Sequence, residues 1–243
     1  MRIVVLITPG GELDEADARA VEQALRVARC RIDVNVSILT AGPAIGVQAL
    51  RAALALGADD GVHVLDDDLA ASDVLTLSRA CAAALRKLGF DLVLCAAAPD
   101  EPNLSAIPAM LAERLDVPLL ARADSLAVGG LDADEVIVVC DEGCLLVERA
   151  VRPPVVVSVT DRAVAPRYPP FTAVVEARRK IIRTLTAEAL GIEPAAVRRP
   201  AATVVGSTVR PSRARILVTA GENPRAAAER LADFLAEHAL IES

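Results

Sequence analysis

The chain has 243 residues, of which 53% are hydrophobic and 24% are charged, and its formal net charge is −7 at pH 7. A chain of this length can bury a large core without disulfides or metals, and its hydrophobic content excludes intrinsic disorder. Charged residues interrupt every apolar run before the roughly 20 residues that a spanning helix needs, and the negative charge with 2% aromatic residues disfavours nucleic acid, so we expect neither membrane insertion nor nucleic-acid binding.

The first hundred residues alternate short apolar runs with longer segments of helical period. We predict strands at residues 4–7, 34–39, 61–65 and 91–96. The helices between them are predicted to cover 14–28, a segment that ends at Gly57 as its C-terminal cap, and a segment that begins at Ser72 as its N-cap. Strands that are apolar throughout and are separated by helices predict a parallel sheet covered on both faces, with right-handed crossovers.

The pattern changes after the fourth predicted strand. A further helix runs through Met110 and Leu115, and a strand begins at 117–120. Apolar segments at 136–140 and 145–151 flank a turn at 141–143 and predict an antiparallel hairpin, before a core strand at 155–160. We therefore predict an α/β fold with a mostly parallel, doubly wound, Rossmann-like sheet of the adenine-nucleotide-binding type. The hairpin is predicted to be an insertion that makes the sheet mixed, and a C-terminal arm follows.

Residues beyond Asp161 are basic and rich in proline, with a short predicted helix that contains Arg178, Arg179 and Lys180. Three prolines interrupt residues 191–215, and a final amphipathic helix is predicted at 223–239. A long arm with few contacts of its own is unstable alone in water. We therefore predict a nucleotide-binding domain at residues 1–190 and an arm with a helix at 191–243 that packs on a partner subunit.

The usual catalytic and metal-binding patterns are absent from the sequence. Five cysteines without CxxC spacing and two histidines in separate segments predict neither a metal site nor a disulfide framework, so we expect a reduced, cytoplasmic protein. The acidic run at 66–68 is typical of a solvated turn. No glycine-rich dinucleotide or P-loop signature follows a strand. We therefore expect a binding protein without catalytic residues of its own.

Ligands of parallel α/β sheets bind outside the carboxyl ends of the strands, near the point where the strand order reverses. The turns after strands one, two and four are therefore the candidate walls of a ligand pocket, and their small side chains let a ligand approach the backbone. Asn103 to Ser105 opens a helix, where free N–H groups bind a phosphate, although either polar residue also serves as a plain N-cap. The candidate cofactor-binding residues are Thr8, Gly11, Thr40, Ala41, Gly42, Ala96, Asp100, Asn103, Leu104 and Ser105.

Several segments resemble the β subunit of electron transfer flavoproteins, the FixA type. Residues 49–64 (ALRAALALGADDGVHV) resemble the family segment T/A-L-R-x-A-L-A-x-G-A-D almost throughout. Residues 154–162 (PVVVSVTDR), followed by the Pro-Arg-Tyr of 166–168, resemble another family segment at the same spacing. The likeness continues through 178–180 (RRK) and 185–191 (LTAEALG), so it spans most of the chain.

This resemblance implies a heterodimer in which the redox-active FAD is held mainly by an α subunit and this chain binds AMP structurally. It also implies electron transfer from flavin dehydrogenases toward a quinone reductase and the respiratory chain. The family's AMP loop reads D-D-D-x-N-Q-T-G, and residues 99–106 (PDEPNLSA) match it at Asp100, Asn103 and Ser105 but depart from it at Leu104 and Ala106. The turn at 8–11 (TPGG) is also shorter than the family's, which marks a divergent member.

The resemblance further implies a docking loop after Pro-Arg-Tyr, with Phe171 at the position of the family's apolar anchor. A bulky apolar side chain between prolines and charges is a poor core residue and a good interface residue. We therefore predict that Phe171, Tyr168, Arg178 and Arg179 dock a partner dehydrogenase, while the alternative is that Phe171 packs on its own subunit. Two alternative functions are a stand-alone adenine-nucleotide-binding regulator and a bifurcating subunit with a second FAD.

Overall fold

The computed structural model describes residues 1–67, 69, 73–97, 105–129, 135–192, 202, 205–206, 208 and 224–237. Ten strands lie in this part of the chain. They are β1 (Arg2–Leu6), β2 (Asn35–Gly42), β3 (Asp60–Leu65), β4 (Leu92–Ala96), β5 (Leu119–Ala123), β6 (Ser125–Val128), β7 (Val136–Asp141), β8 (Leu146–Val151), β9 (Val155–Val159) and β10 (Ile182–Leu185).

Seven of the strands form one parallel sheet in the order β10-β3-β2-β1-β4-β9-β5. The other three form a separate antiparallel sheet in the order β6-β7-β8. The predicted fold class is therefore confirmed, but the expectation of one mixed sheet is wrong. The chain leaves the parallel sheet at a bend where Arg122 has φ 61°, and β6 starts in a new direction.

The described helices are α1 (Glu15–Cys30), α2 (Val47–Leu56), α3 (Val74–Leu88), α4 (Ile107–Leu115), α5 (Phe171–Ala177) and α6 (Pro224–Glu237). Gly57 ends α2 with φ 133°, as predicted. Asp73 caps α3, because its Oδ1 accepts a hydrogen bond of 2.8 Å from the Thr76 N–H, so the predicted cap at Ser72, which lies outside the described residues, is wrong by one position.

Two apolar clusters cover the two faces of the parallel sheet. Ile3 and Val5 of β1 pack with α1 and α2, whereas Val4 packs with α3 and α4. Successive side chains of a strand point to opposite faces, so one short apolar run fills both clusters. This packing is the doubly wound arrangement that continuous apolar strands predict.

The segment after β9 is more ordered than the sequence predicts. Helix α5 ends at Ala177, so the helix expected to contain Arg178, Arg179 and Lys180 stops just before them. Residues 182–185 then pair with β3 as β10, with Ile182 opposite Gly61. A four-residue strand with two adjacent polar residues at its centre has a weak local signal, and the free edge of β3 supplies the hydrogen bonds that order it.

The chain divides into two compact units, Met1–Thr203 and Val204–Ser243. The first holds both sheets and five of the described helices. In the second, helix α6 carries no buried residue, and Leu231 is 49% exposed. The domain boundary predicted between residues 190 and 191 stays a prediction. Among the described helices, none combines the length and the apolar character that crossing a bilayer requires.

Candidate functional site

The candidate site is a cleft at the carboxyl ends of β1, β2 and β4. The strand order reverses between β1 and β4, because β2 and β3 lie on one side of β1 and β4 lies on the other. This is the place where open α/β sheets bind their ligands. The lining residues are Leu6, Ile7, Thr8, Pro9, Asp17, Ala41, Leu77, Cys81, Cys95, Ala96, Ile107 and Pro108.

Asp17 organises the turn after β1. Its carboxylate is 2% exposed, and Oδ2 accepts hydrogen bonds of 2.7 Å from both the backbone N–H and the hydroxyl of Thr8. A buried carboxylate needs such donors, because its desolvation is costly otherwise. Both of these Thr8 donors are therefore directed to Asp17, and the carboxylate places negative charge at this wall of the cleft.

The turn after β2 is held against the turn after β1. A Cβ atom at Gly42 would lie 2.8 Å from the Pro9 Cβ, so a side chain at this position would force the two turns apart. His63 of β3 lies 3.2 Å from the Gly42 carbonyl through Nε2. Burial lowers the pKa of His63, so the neutral ring donates to this carbonyl and supports the turn.

Two thiols complete the apolar lining near β4. Burial raises the pKa of the Cys81 thiol to about 12, and it raises the pKa of Cys95 as well. Both side chains therefore stay protonated at neutral pH and behave as small apolar groups. They offer the cleft neither a charge nor a reactive thiolate.

The chemistry of this lining suits the base of an adenine nucleotide better than its phosphate. Apolar walls such as Leu6, Leu77 and Ile107 match a flat ring, whereas the lining residues include no cationic side chain and Asp17 repels an anion. The cavity volume between these walls is about 40 Å³. Since one water needs about 10–15 Å³ by this measure, the space holds about three waters, and a base enters only if the walls separate.

The structure brings together three of the predicted cofactor-binding residues, Thr8, Ala41 and Ala96, as neighbours in the cleft lining. Thr40 is fully buried, and its hydroxyl donates to the Ile7 carbonyl at 3.2 Å, so it holds β2 to β1 and does not line the cleft. Gly11 lies beside Ile45, which would be 3.0 Å from a Cβ there. Its role and that of Gly42 in binding stay predictions.

The remaining predicted residues belong to the loop after β4. Ser105 is exposed, and helix α4 starts with Ala106 as an N-cap that makes no side-chain hydrogen bond. Asp100, Asn103 and Leu104 lie outside the described residues. The prediction that this loop binds a phosphate therefore stays a prediction.

Sequence reasoning missed the helix residues of the lining. Asp17 stands next to Ala18 on the apolar side of α1, and a buried acid at such a position is a recognisable sign of a polar partner. Leu77 and Cys81 are four residues apart on one face of α3, and Ile107 and Pro108 begin α4. Their periodicity predicts core positions, and only the folded sheet shows that they end beside the cleft.

The predicted docking residues form an exposed segment around α5. Tyr168 is 97% exposed and Phe171 is 82% exposed, so the alternative that Phe171 packs on its own subunit has no support in this structure. Val175, one turn further along α5, is 37% exposed. Arg178 and Arg179 follow it and are also exposed. We call Tyr168, Phe171, Val175, Arg178 and Arg179 together the exposed patch.

The amino-acid sequence of this chain is similar to a known protein family and to several of its members. A family model described as "Electron transfer flavoprotein domain" matches residues 3–190. The chain is 35% identical over 218 residues to the electron transfer flavoprotein subunit beta of Mycobacterium tuberculosis, which covers 86% of this chain and 79% of that protein.

More distant relatives carry related names. The chain is 29% identical over 188 residues to the electron transfer flavoprotein subunit beta of Megasphaera elsdenii, covering 74% of this chain and 68% of that protein. It is also 29% identical over 204 residues to the "Acryloyl-CoA reductase electron transfer subunit gamma" of Anaerotignum propionicum, covering 78% of this chain and 74% of that protein.

Proposed function

This chain belongs to the electron transfer flavoprotein family, and from that premise we propose that it is the β subunit of a heterodimer that passes electrons from flavin dehydrogenases toward a quinone reductase. The observation that carries the proposal is the match over residues 3–190 together with 35% identity to a β subunit over 86% of the chain. We propose the cytoplasm as its location, in keeping with five free cysteines.

In this proposal the chain works as an electron carrier subunit whose side chains bind and position. The FAD, which accepts and donates the electrons, is held mainly by the α subunit. The two thiols of the cleft are protonated, and the His63 ring is committed to the Gly42 carbonyl. These groups therefore support a structural role for the described part of this chain and no reaction step.

We further propose that the cleft between β1 and β4 takes the base of AMP or a related adenine nucleotide. The apolar lining and the small side chains of Ala41 and Ala96 support this assignment. The cavity volume of about 40 Å³ is too small for a base, so in this proposal binding widens the cleft, which lowers the affinity by the cost of that widening. The negative charge of Asp17 directs the phosphate away from β1, toward the loop that follows β4.

The exposed patch around α5 is the proposed contact with the donor dehydrogenase. Phe171 is positioned as an anchor that fills an apolar socket, and Arg178 and Arg179 beside it favour an acidic rim on the partner. The relative named as an electron transfer subunit of acryloyl-CoA reductase supports an enzyme of acyl-CoA substrates as the class of partner.

The C-terminal unit is the proposed contact with the α subunit. Helix α6 has the spacing of an amphipathic helix, with Ala227, Leu231 and Leu235 four residues apart, yet none of its residues is buried. An apolar face without a core of its own is stable only when another surface covers it. An arm that lies on the α subunit supplies that cover.

Co-expression with an electron transfer flavoprotein α subunit tests the proposed function. We expect a yellow heterodimer with one FAD, and a chain shortened after Leu190 should lose the flavin from the purified complex. As a control, the Ile32→Ala variant changes an exposed side chain of the first unit and should keep the yellow complex. A colourless chain that binds no α subunit would contradict the proposal and favour a nucleotide-binding regulator, whereas two flavins per heterodimer would indicate a bifurcating subunit.

A further inference from the structure

The exposed patch is held at its start by an ion pair between Arg167 and the buried Glu22 of α1. Glu22 is 4% exposed, and Arg167, the residue before Tyr168, donates to both of its carboxylate oxygens at 2.5 and 2.8 Å. A two-point contact between guanidinium and carboxylate fixes the orientation of both planes. Arg19 of the same helix donates to the Ala163 carbonyl at 2.6 Å, so α1 contacts the segment that leads into the patch at two points.

The end of the patch is held by reciprocal hydrogen bonds, in which a cation of α2 and a cation after α5 each donate to backbone carbonyls of the other segment. We call this contact the Arg51–Lys180 exchange. Arg51 of α2 donates to the carbonyls of Ala177 and Lys180 at 2.7 and 2.6 Å. Lys180 in turn donates to the carbonyls of Leu54 and Ala58 at 3.2 and 2.5 Å. Ala177 and Leu54 lie in the last turns of α5 and α2, where carbonyls carry partial negative charge, so each cation stabilises the end of the other helix.

Between these two contacts most side chains are exposed, while Val174 and Ala177 pack against the apolar core and the backbone is restrained. Pro169 and Pro170 have fixed φ angles and lead directly into α5. Tyr168 and Phe171 are nevertheless exposed, so their order comes from the contacts of the flanking residues and not from their own burial. A segment with exposed apolar residues and buried polar supports is typical of a surface built for recognition.

We propose that the Glu22–Arg167 pair and the Arg51–Lys180 exchange are positioning elements that hold residues 168–179 in the docking conformation before the partner arrives. The proposal rests on the proposed function, because the partner it assumes is a flavin dehydrogenase with an apolar socket and an acidic rim. A segment that is ordered beforehand loses less conformational freedom on binding. Loosening either contact should therefore raise the KM for the dehydrogenase about tenfold and leave kcat unchanged.

The order of the segment can be measured without any partner. Tyr168 is the one tyrosine of a chain that has no tryptophan, so the intrinsic fluorescence of the isolated full chain comes from the patch itself. We expect the anisotropy decay of wild-type Tyr168 to follow mainly the tumbling of the unit Met1–Thr203, with a small fast local component. In Glu22→Gln and in Lys180→Met, the amplitude of the fast local decay should at least double.

A matched control comes from the antiparallel sheet. Glu142 and Arg149 form a Glu–Arg ion pair of 2.6 Å that is remote in sequence from the patch, so Glu142→Gln should leave the Tyr168 decay unchanged. In the Glu22→Asp variant the carboxylate is retained, and a decay between those of the wild type and Glu22→Gln is expected. An unchanged decay in both Glu22→Gln and Lys180→Met, with the native circular dichroism spectrum, would overturn the proposal.

The two proposals fail in different ways. If Glu22→Gln prevents folding, Lys180→Met decides the outcome alone, because it acts from the other end of the segment. If the variants loosen Tyr168 and the heterodimer accepts electrons with an unchanged KM, the segment is ordered but this order does not serve docking, and the inference is wrong. If the wild-type heterodimer accepts no electrons from a purified acyl-CoA dehydrogenase that reduces related flavoproteins, the proposed function fails even when the anisotropy changes as expected.

Discussion

Replacing Phe171 with alanine should separate docking from stability more sharply than any other change in this chain. Its side chain is 82% exposed in the isolated subunit, so about a fifth of it is removed from water on folding. Complete burial of a phenylalanine is worth about 1.5–3 kcal/mol, so Phe171→Ala should lower the free energy of unfolding by about 0.5 kcal/mol or less.

The same side chain should matter much more in the complex. If the partner's socket buries the remaining four fifths, docking loses most of the about 1.5–3 kcal/mol that burial provides. Four fifths of that energy is about 1.2–2.4 kcal/mol. At about 1.4 kcal/mol for each factor of ten, this corresponds to a rise in KM for the dehydrogenase of roughly 7- to 50-fold. The kcat should stay near the wild-type value, because the flavin environment is unchanged.

The assay is steady-state reduction of the heterodimer by the dehydrogenase, together with urea unfolding of the isolated chain. Ile32→Ala is the control, because Ile32 is 107% exposed on the turn between α1 and β2 and lies in no predicted docking segment. An unchanged KM in Phe171→Ala, accompanied by a loss of 2 kcal/mol or more in unfolding free energy, would refute the reasoning. Phe171 would then be a core residue of a conformation that this structure does not represent.

Burial lowers the pKa of His63 below its ordinary 6.5, so the unfolded chain binds the proton first and the folded state loses stability as pH falls below about 6.5. His63→Gln should flatten this part of the urea-unfolding profile between pH 7 and 5, and an equally steep profile would show that other groups cause the loss. If AMP binds the cleft, a hundredfold excess over its Kd should raise the wild-type Tm by about 5–10 °C. Ala96→Leu fills the cleft and should abolish this shift, Ala127→Leu on exposed β6 should keep it, and a shift in both variants would place the nucleotide elsewhere. Leu231→Lys should weaken assembly with the α subunit in gel filtration while Asp233→Asn does not, and equal assembly of both would exclude the face of α6 from the interface.

Much of the architecture could be predicted because its signals are local. Continuous apolar runs predict buried parallel strands, and the observed strands β1 to β4 and β9 overlap the predicted ranges. Asp14 and Gly57 mark helix ends through their own side chain and their own backbone conformation. The separation of the antiparallel strands into a second sheet could not be predicted, because it depends on a bend near Arg122 that has no distinctive local sequence.

The candidate site could be predicted only in outline. The rule for strand ends selected Thr8, Ala41 and Ala96, which line the cleft because the edge where parallel strands end is a property of the topology, and their role in binding stays a prediction. It could not show that Thr40 points toward β1, or that Asp17 occupies two of the donors of Thr8. Rotations of this kind are decided by side-chain packing between elements, which periodicity does not encode.

The sequence by itself determined the alternation of strands and helices, the end of α2 at Gly57 and the resemblance to a family of electron carriers. Each of these depends on residues that are neighbours along the chain, where period, capping and motif spacing act directly. Only the tertiary structure decided that Arg167 pairs with Glu22, 145 positions away, and that Lys180 donates to the Leu54 carbonyl of α2, 126 positions away. Contacts between such distant positions form only after both apolar clusters have brought their elements together, and for that reason the support of the exposed patch became visible in the fold alone.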